Sequence, residues 1–306
     1  MKKKYGDIFQ QPDDKFKVIN VIRNEAKMKI PISYLCSYFN VSESGYYFWC
    51  NKSEGSRFIA KEKICAEIRR IFKLSKQSYG SPRVYEELKD CGFSVSENTV
   101  CKYMKEMGLD ARLKKKFKVQ TTDSNHNHPV APRLFKAESE HCLPKKPGEL
   151  LAGDITYLRL DSSFIYLAVV IDLFNREVVG WSMSRSLEAQ IVLDALDMAL
   201  KTLGPDVQII FHSDRGSQYA SEAYRKFLKN KNIKPSMSRR GNCYDNAYVE
   251  SWFSSLKKEW IYKNIYSSES ELKALVFEYI EVWYNKKRKH SSLGYLSPIQ
   301  YKANNM

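Results

Sequence analysis

The apolar pattern of this chain changes period once, and the change falls on a stretch with little to bury. From Lys114 to Pro147 the sequence opens with Lys-Lys-Lys-Phe-Lys118 and runs through Thr121-Thr-Asp-Ser-Asn-His-Asn-His128. It then carries Pro129, Pro132, Pro144 and Pro147. Such a composition reads as a partly extended linker. Before it, apolar residues recur at helical spacing; after it, they alternate or run together as strands do. A chain with this pattern folds as an all-α region joined to an α/β region. The expected division is a helix-turn-helix in residues 1–55, a second such unit in 56–113, the linker in 114–147 and an α/β domain in 148–306.

In the first part, Ile32-Ser-Tyr-Leu-Cys-Ser-Tyr-Phe39 and Ser42-Glu-Ser-Gly-Tyr-Tyr-Phe-Trp49 predict two short helices around a tight turn at Asn40-Val41, with Ser42 as the cap. Arg83 to Lys89, a break at Gly92 and a helix capped by Ser96 repeat the arrangement. Helix, turn and helix of this length suit DNA binding, although a small helical bundle has the same spacing.

Beyond the linker, Leu150–Leu160 and Phe164–Phe174 predict two strands joined by a turn at Asp161-Ser-Ser163, with a third at Glu177–Met183. A helix at Leu187–Leu203, a strand at Val207–His212, a helix at Ser221–Lys229 and a strand at Lys234–Ser238 follow. Two long helices close the domain, near Asn246–Tyr262 and Ser268–Lys286. This order predicts a mixed sheet with flanking helices, similar to the ribonuclease-H-like fold.

Charge narrows the partner. The chain carries +15, of which residues 1–150 hold +11 and residues 151–306 hold +4. An excess of that size points to a polyanion, nucleic acid being the common one. A membrane span is excluded because the longest apolar run, Phe164 to Ile171, stops at Asp172. No apolar core follows Lys2-Lys-Lys4, so no secretion signal is expected. Seven scattered cysteines without a CxxC pair read as reduced thiols of a cytoplasmic protein.

The chemistry rests on three acids. Asp154 lies within the first strand, Asp214 just past the fourth, and Glu250 in the helix that begins near Asn246. Carboxylates converging at a sheet edge are costly unless a cation joins them, and Mg²⁺ takes such oxygen ligands. Taken singly, Asp172, Asp194 and Asp245 are equally acidic, so the flanking residues must decide.

Those flanks are Asp154-Ile-Thr-Tyr157, His212-Ser-Asp-Arg-Gly-Ser-Gln-Tyr219, Ser236-Met-Ser-Arg-Arg-Gly-Asn-Cys-Tyr-Asp-Asn246 and His290-Ser-Ser-Leu-Gly-Tyr-Leu-Ser-Pro298. Together they closely resemble transposases of the "insertion sequence three" family, in particular its second-frame product, OrfB. The 35 residues between Asp214 and Glu250 are similar to the spacing of that family and of retroviral integrase cores. The resemblance implies a DDE triad at Asp154, Asp214 and Glu250 working with Mg²⁺ (or Mn²⁺), two ions in all, in strand cleavage and strand transfer. It also implies double-stranded DNA as partner, both the element's terminal inverted repeats and target DNA. A homo-oligomer on that DNA, OrfA or an OrfA–OrfB fusion, and a nucleoid association when bound are further implications. One departure stands out: Leu151 and Gly153 occupy places where the family often has Trp and Thr.

Other residues are assigned to DNA. Lys257 lies seven residues after Glu250 on the same helical face, where the family carries a basic residue; a solvated lysine beside Lys258 and Glu259 is the alternative. Arg239, Arg240, Asn242 and Asn246 lie between strand and catalytic helix, where they position DNA or only shape the loop. Lys286, Lys287, Arg288 and Lys289 form a basic run that reads as a phosphate patch or as a solvated helix end. His212 shares a face with Asp214, as its support or as strand packing. His126, His128, His141 and Cys142 match no zinc frame and read as polar linker. A regulator with a vestigial core and a hydrolytic nuclease of the same fold stay open on the sequence; intact acids speak against the first.

Overall fold

The computed structural model describes residues 12–25, 30–51, 56–111, 131–135, 144–204, 208–239 and 246–306. Its chain forms two compact units, Met1–Arg69 and Arg70–Met306. The division falls inside a helix.

The first unit is built on α1 (Pro12–Glu25), α2 (Ile32–Tyr38) and α3 (Glu43–Asn51). Asn40, at φ 52°, turns the chain between α2 and α3, and Ser42 Oγ accepts the Gly45 N–H at 3.1 Å to start α3. Phe16, Ile19, Leu35, Cys36 and Tyr46 close a small core among the three helices. The expected helix pair is present; α1, which completes its core, was not read from the sequence. Helix α4 (Ser56–Leu74) runs across the division between the units.

In the second unit α5 (Ser81–Asp90) and α6 (Glu97–Glu106) follow. Gly92, at φ 82°, ends the first, and Ser96 Oγ caps the second through the Thr99 N–H. The loop before α5 is bound to the far end of the chain. Lys76 pairs with Glu278 and stands 3.7 Å over the Trp260 ring, while Tyr79 OH accepts the Lys289 N–H at 2.8 Å. Residues 70–111 therefore belong with the sheet in packing.

The sheet has the order β3-β2-β1-β4-β5. Strands β1 (Leu150–Leu160), β2 (Ser163–Asp172) and β3 (Val178–Ser184) are antiparallel neighbours; β4 (Ile210–Ser213) and β5 (Lys234–Met237) add in parallel. Parallel strands need crossovers. Helix α7 (Ala189–Leu203) precedes β4, and α8 (Ser217–Ala220) with α9 (Glu222–Asn230) connects β4 to β5. Helix α7 lies close on β3 because Gly180 has no side chain: a Cβ there would meet the Ala195 carbonyl at 2.1 Å. Leu151, Val170, Ile191, Leu196 and Phe211 fill the core between them. This is the expected mixed sheet with flanking helices.

Helix α10 (Ala247–Glu259) packs against β1. After it, α11 (Glu269–Phe277) continues as a π-helix from Glu278 to Tyr284, and α12 (Pro298–Asn304) starts with a Ser297/Gln300 capping box. The wider π turns bury Tyr279, Ile280, Trp283 and Tyr284 together. Among the described residues no helix is long and apolar enough to cross a membrane.

Candidate active site

Register places the two aspartates. β1 and β4 pair in parallel up to Ala152↔His212, and Asp154 and Asp214 each stand two residues beyond that pair. β4 ends at Ser213 while β1 runs on to Leu160, so a cleft opens beside β1 at the carboxyl end of β4. Such ends are where α/β sheets hold ligands. Here a cavity of about 150 Å³ is lined by Asp154, Thr156, Tyr157, Asp214, Gln218 and Tyr219, among others.

Local bonds hold the acids. Asp154 Oδ1 accepts the Ile155 N–H at 2.8 Å, and Asp214 Oδ1 accepts the Gly216 N–H at 2.9 Å. Glu250 projects, exposed, from the first turn of α10. Its charge reaches Asp154. Burial and then the Asp214 carboxylate push Asp154 well above the usual carboxylate range; Glu250 adds to this, while the Ile155 N–H and the Asn246 side chain oppose it.

Lys257 does not point away along its helix. Its ammonium donates to Thr156 Oγ1 at 2.8 Å and lies 4.6 Å from the Tyr157 ring centroid, on β1 beside Asp154. Burial lowers its pKa, and the Asp154 charge works the other way. Thr156 and Tyr219 were not assigned to the site from sequence, and Asn246 was read only as a DNA-positioning residue. Asn246 is 5% exposed at the N-cap of α10 and hydrogen-bonds toward Asp154; its position four before Glu250, one helical turn, was the available signal.

The competing acids separate. Asp172 is buried and accepts N–H bonds from Gly148 (2.7 Å) and Phe174 (2.9 Å), so it closes the turn after β2. Asp194 bonds to Gln190 on the exposed side of α7. Asp245, Arg240, Asn242 and the residues weighed for zinc lie outside the described residues. Arg239 is exposed just past β5.

The basic run divides, which corrects the expected patch. Lys286 and Lys287 are exposed, but Arg288 and Lys289 turn inward. Arg288 makes two bonds to Glu259, at 2.6 and 2.7 Å, and Lys289 pairs with Asp90. Only the first two remain on the surface to meet phosphate.

The departure at Gly153 has a packing reason. A Cβ there would fall 2.3 Å from the Phe211 ring, so the large ring on β4 occupies the space of the missing side chain. Gly153→Thr is expected to lower stability by about 1–3 kcal/mol through overpacking, and Phe211→Leu in the same chain to recover much of it. Urea melts of the two single variants and the double variant check this.

As to a cation, among the described residues no three His, Cys, Asp or Glu side chains form a ready-made cage. The donors still fit a hard ion. Two aspartates share the cleft, Glu250 acts on Asp154, and Asn246 Oδ1 is buried with no partner among the described residues.

Sheet order, crossing helix and acid-lined cleft place the molecule among integrase-type polynucleotidyl transferases. Family models agree: two integrase core domain models match residues 144–243 and 231–298, and an HTH-like domain matches 60–117. Transposase InsF for insertion sequence IS3A of Escherichia coli (strain K12) is 39% identical over 292 residues, covering 95% of this chain and 99% of its own. An insertion element IS600 uncharacterized 31 kDa protein of Shigella sonnei is 36% identical, covering 88% of this chain and 97% of its own. The chain belongs to the IS3 family of insertion-sequence transposases. Its activity is DNA transposition, the cutting and joining of strands by an integrase core. Among solved structures, a simian T-cell lymphotropic virus intasome bound to PP2A regulatory subunit B56 gamma matches at TM-score 0.45 and 14% identity, covering 77% of this chain and 74% of that one. The HTLV-2 integrase catalytic core domain in complex with magnesium matches at 0.41 and 17%, covering 51% and 97%.

Proposed function

We propose that Asp154, Asp214 and Glu250 are the catalytic carboxylates of this transposase and that they hold Mg²⁺ or Mn²⁺, two ions in all. The observation that carries the reading is the matched placement of Asp154 and Asp214 past the last β1–β4 pair, in one cleft. When bound, such ions activate a nucleophile and neutralise charge on the leaving oxygen. The chain's own residues supply the rest. Asp154 and Asp214 are oriented by the Ile155 and Gly216 N–H groups, which fix one oxygen of each. Gln218 is braced on the Leu187 carbonyl at 3.2 Å and so forms a fixed wall.

Two in-line displacements at phosphorus are proposed. Water attacks one phosphodiester and displaces its 3′ oxygen, leaving a 5′-phosphate and a free 3′-OH; that hydroxyl then attacks a second phosphodiester, forms the new bond to its phosphorus and displaces the 3′ oxygen of that strand. Lys257, held at Thr156 and Tyr157, presents a positive charge to the DNA phosphate near Asp154. Arg239, Lys286 and Lys287 are exposed and suit the flanking backbone. Residues 1–55 and 56–113 would read the terminal repeats, and 148–306 would carry the chemistry. Assembly as a homo-oligomer on end and target DNA, with OrfA or as an OrfA–OrfB fusion, completes the proposal, at the nucleoid in the cytoplasm.

The test uses the full chain with a duplex of its element end. Nicking and joining are expected in Mg²⁺ or Mn²⁺, and neither in EDTA; activity in EDTA would end the metal reading. Lys257→Ala is expected to slow joining about tenfold, the ~1.5 kcal/mol of one charge-assisted contact, with Lys257→Arg restoring much of it. Joining by Lys257→Ala at the normal rate in limiting DNA would make Lys257 a packing residue only.

A further inference from the structure

Five described residues of the linker, Ala131 to Phe135, run along β5 and end against the elements that carry the acids. The Ala131 N–H points at Met237 Sδ at 3.4 Å, and the Leu134 and Phe135 N–H groups both donate to Ser236 Oγ, at 3.0 and 3.2 Å. A serine oxygen has two lone pairs and one proton. The same hydroxyl lies 2.9 Å from His212 Nδ1, within hydrogen-bond reach.

Phe135 itself is 1% exposed. Its ring meets His212 edge-on with centroids 5.2 Å apart, and Tyr248 with centroids 6.5 Å apart. Arg176 stands 3.7 Å over the same Tyr248 ring. His212 lies on β4 two residues before Asp214; Tyr248 lies in the first turn of α10 two residues before Glu250. Phe135 therefore touches both elements while belonging to neither. A connection that merely spans domains stays on the surface. This one buries an aromatic ring and fastens it with three polar contacts.

We propose that Phe135, seated by Ser236, is a positioning residue for strand transfer: it wedges the first turn of α10 against the end of β4 and so sets Glu250 against Asp214. The proposal rests on the assignment of those acids. The wedge lies on the chain that connects the helical region to the cleft, so the same contact ties the path of that chain to the geometry of the acids.

The experiment compares full-length Phe135→Ala, Phe135→Leu and Ser236→Ala with the unaltered chain. It reads thermal melting, the Mg²⁺ midpoint and maximal rate of joining on an end duplex, and Mn²⁺ binding without DNA by electron paramagnetic resonance. Phe135→Ala is expected to cut the maximal rate about tenfold or more, since an ångström of misplacement costs up to about 10²-fold. It is also expected to raise the Mg²⁺ midpoint and weaken Mn²⁺ binding, each by about threefold or more. Phe135→Leu should restore most of both, and Ser236→Ala, which keeps the ring, should reproduce a weaker form of the defect. A lowered melting temperature with unchanged Mn²⁺ binding and Mg²⁺ midpoint in Phe135→Ala and Ser236→Ala would overturn the proposal. If Phe135→Ala does not fold, Ser236→Ala decides alone. Glu250→Gln serves as the separate control. Activity in that variant removes the assignment of Glu250, whereas a dead Glu250→Gln beside unperturbed wedge variants removes only the role of Phe135.

Discussion

Asp154→Asn, Asp214→Asn and Glu250→Gln are each expected to abolish strand cutting and joining, by about 10³-fold or more, while end-DNA binding stays within about twofold. Each amide keeps the size and most of the hydrogen-bonding shape of the acid, so loss of packing cannot account for the effect. What disappears is one negative oxygen of the proposed set, two of whose members, Asp154 and Asp214, line one cleft. Asp154 shows the tension directly: burial and the neighbouring Asp214 and Glu250 charges push its pKa up. That repulsion is unfavourable for the free fold and useful only when a cation enters. Asp154→Asn is therefore expected to raise the melting temperature in EDTA while removing activity, a stability–function exchange common at active sites. The check is a gel assay of nicked and joined product beside thermal melts with and without Mg²⁺. Substantial product from any one variant removes that residue from the set; a melting temperature that drops for Asp154→Asn contradicts the repulsion argument.

What the sequence made legible follows from the kind of signal each element carries. Strand β1 was read from Leu150 to Leu160 as found, because it alternates or runs apolar without interruption and ends at a turn. Helix α4 went unread: its charged residues, Arg57, Lys61, Glu62, Lys63, Glu67, Arg69, Arg70 and Lys73, dilute an apolar stripe that only packing reveals. Phe135 was also illegible. A lone aromatic in a polar, Pro-containing stretch looks like linker, and its burial depends on Ser236, about a hundred residues away. Lys286 to Lys289 looked uniform because charge was counted without direction. The π-helix ends at Tyr284 and a turn follows at 285–287, so a helical period carried through from α11 misplaces Arg288 and Lys289. The acids were legible as types with characteristic neighbours. Their common level in the cleft is a property of strand register, which the chain shows only once β1 and β4 pair.

Glu259→Ala is expected to be the most destabilising single change outside the sheet core, at about 3–5 kcal/mol. Glu259 is the carboxylate that receives Arg288 on two bonds, with Arg83 at 3.6 Å and the Tyr279 hydroxyl at 3.4 Å. These groups come from α10, α5 and the segment around the π-helix, so one anion joins three parts of the unit. Burial works against the Arg288 charge, and Glu259 more than offsets it, holding its pKa above the ordinary value. Without Glu259, a guanidinium whose side chain is only 5% exposed keeps its charge and loses its partner. The His290 ring lies 3.3–3.4 Å from Arg288 Nη1 and supplies no compensating charge. Burial first, and then Arg288, Arg83 and Arg176, lower its pKa to about 2, so it is neutral in the fold. The sign for pH follows. Below about 6.5 the unfolded chain binds a proton at His290 that the folded chain refuses, so stability falls as pH drops from 6.5. Arg288→Met alone should cost less than Glu259→Ala, because it leaves Glu259 with Arg83 nearby. The pair Glu259→Ala and Arg288→Met should cost much less than the sum of the two, since the orphaned charge is gone. Denaturant melts of the cycle at pH 7.5 and 5.5, with His290→Gln alongside, test both points: additive losses would mean the pair contributes no mutual stabilisation, and a pH difference left unchanged by His290→Gln would contradict a neutral His290, since Asp172, raised to about 6, works in the opposite direction.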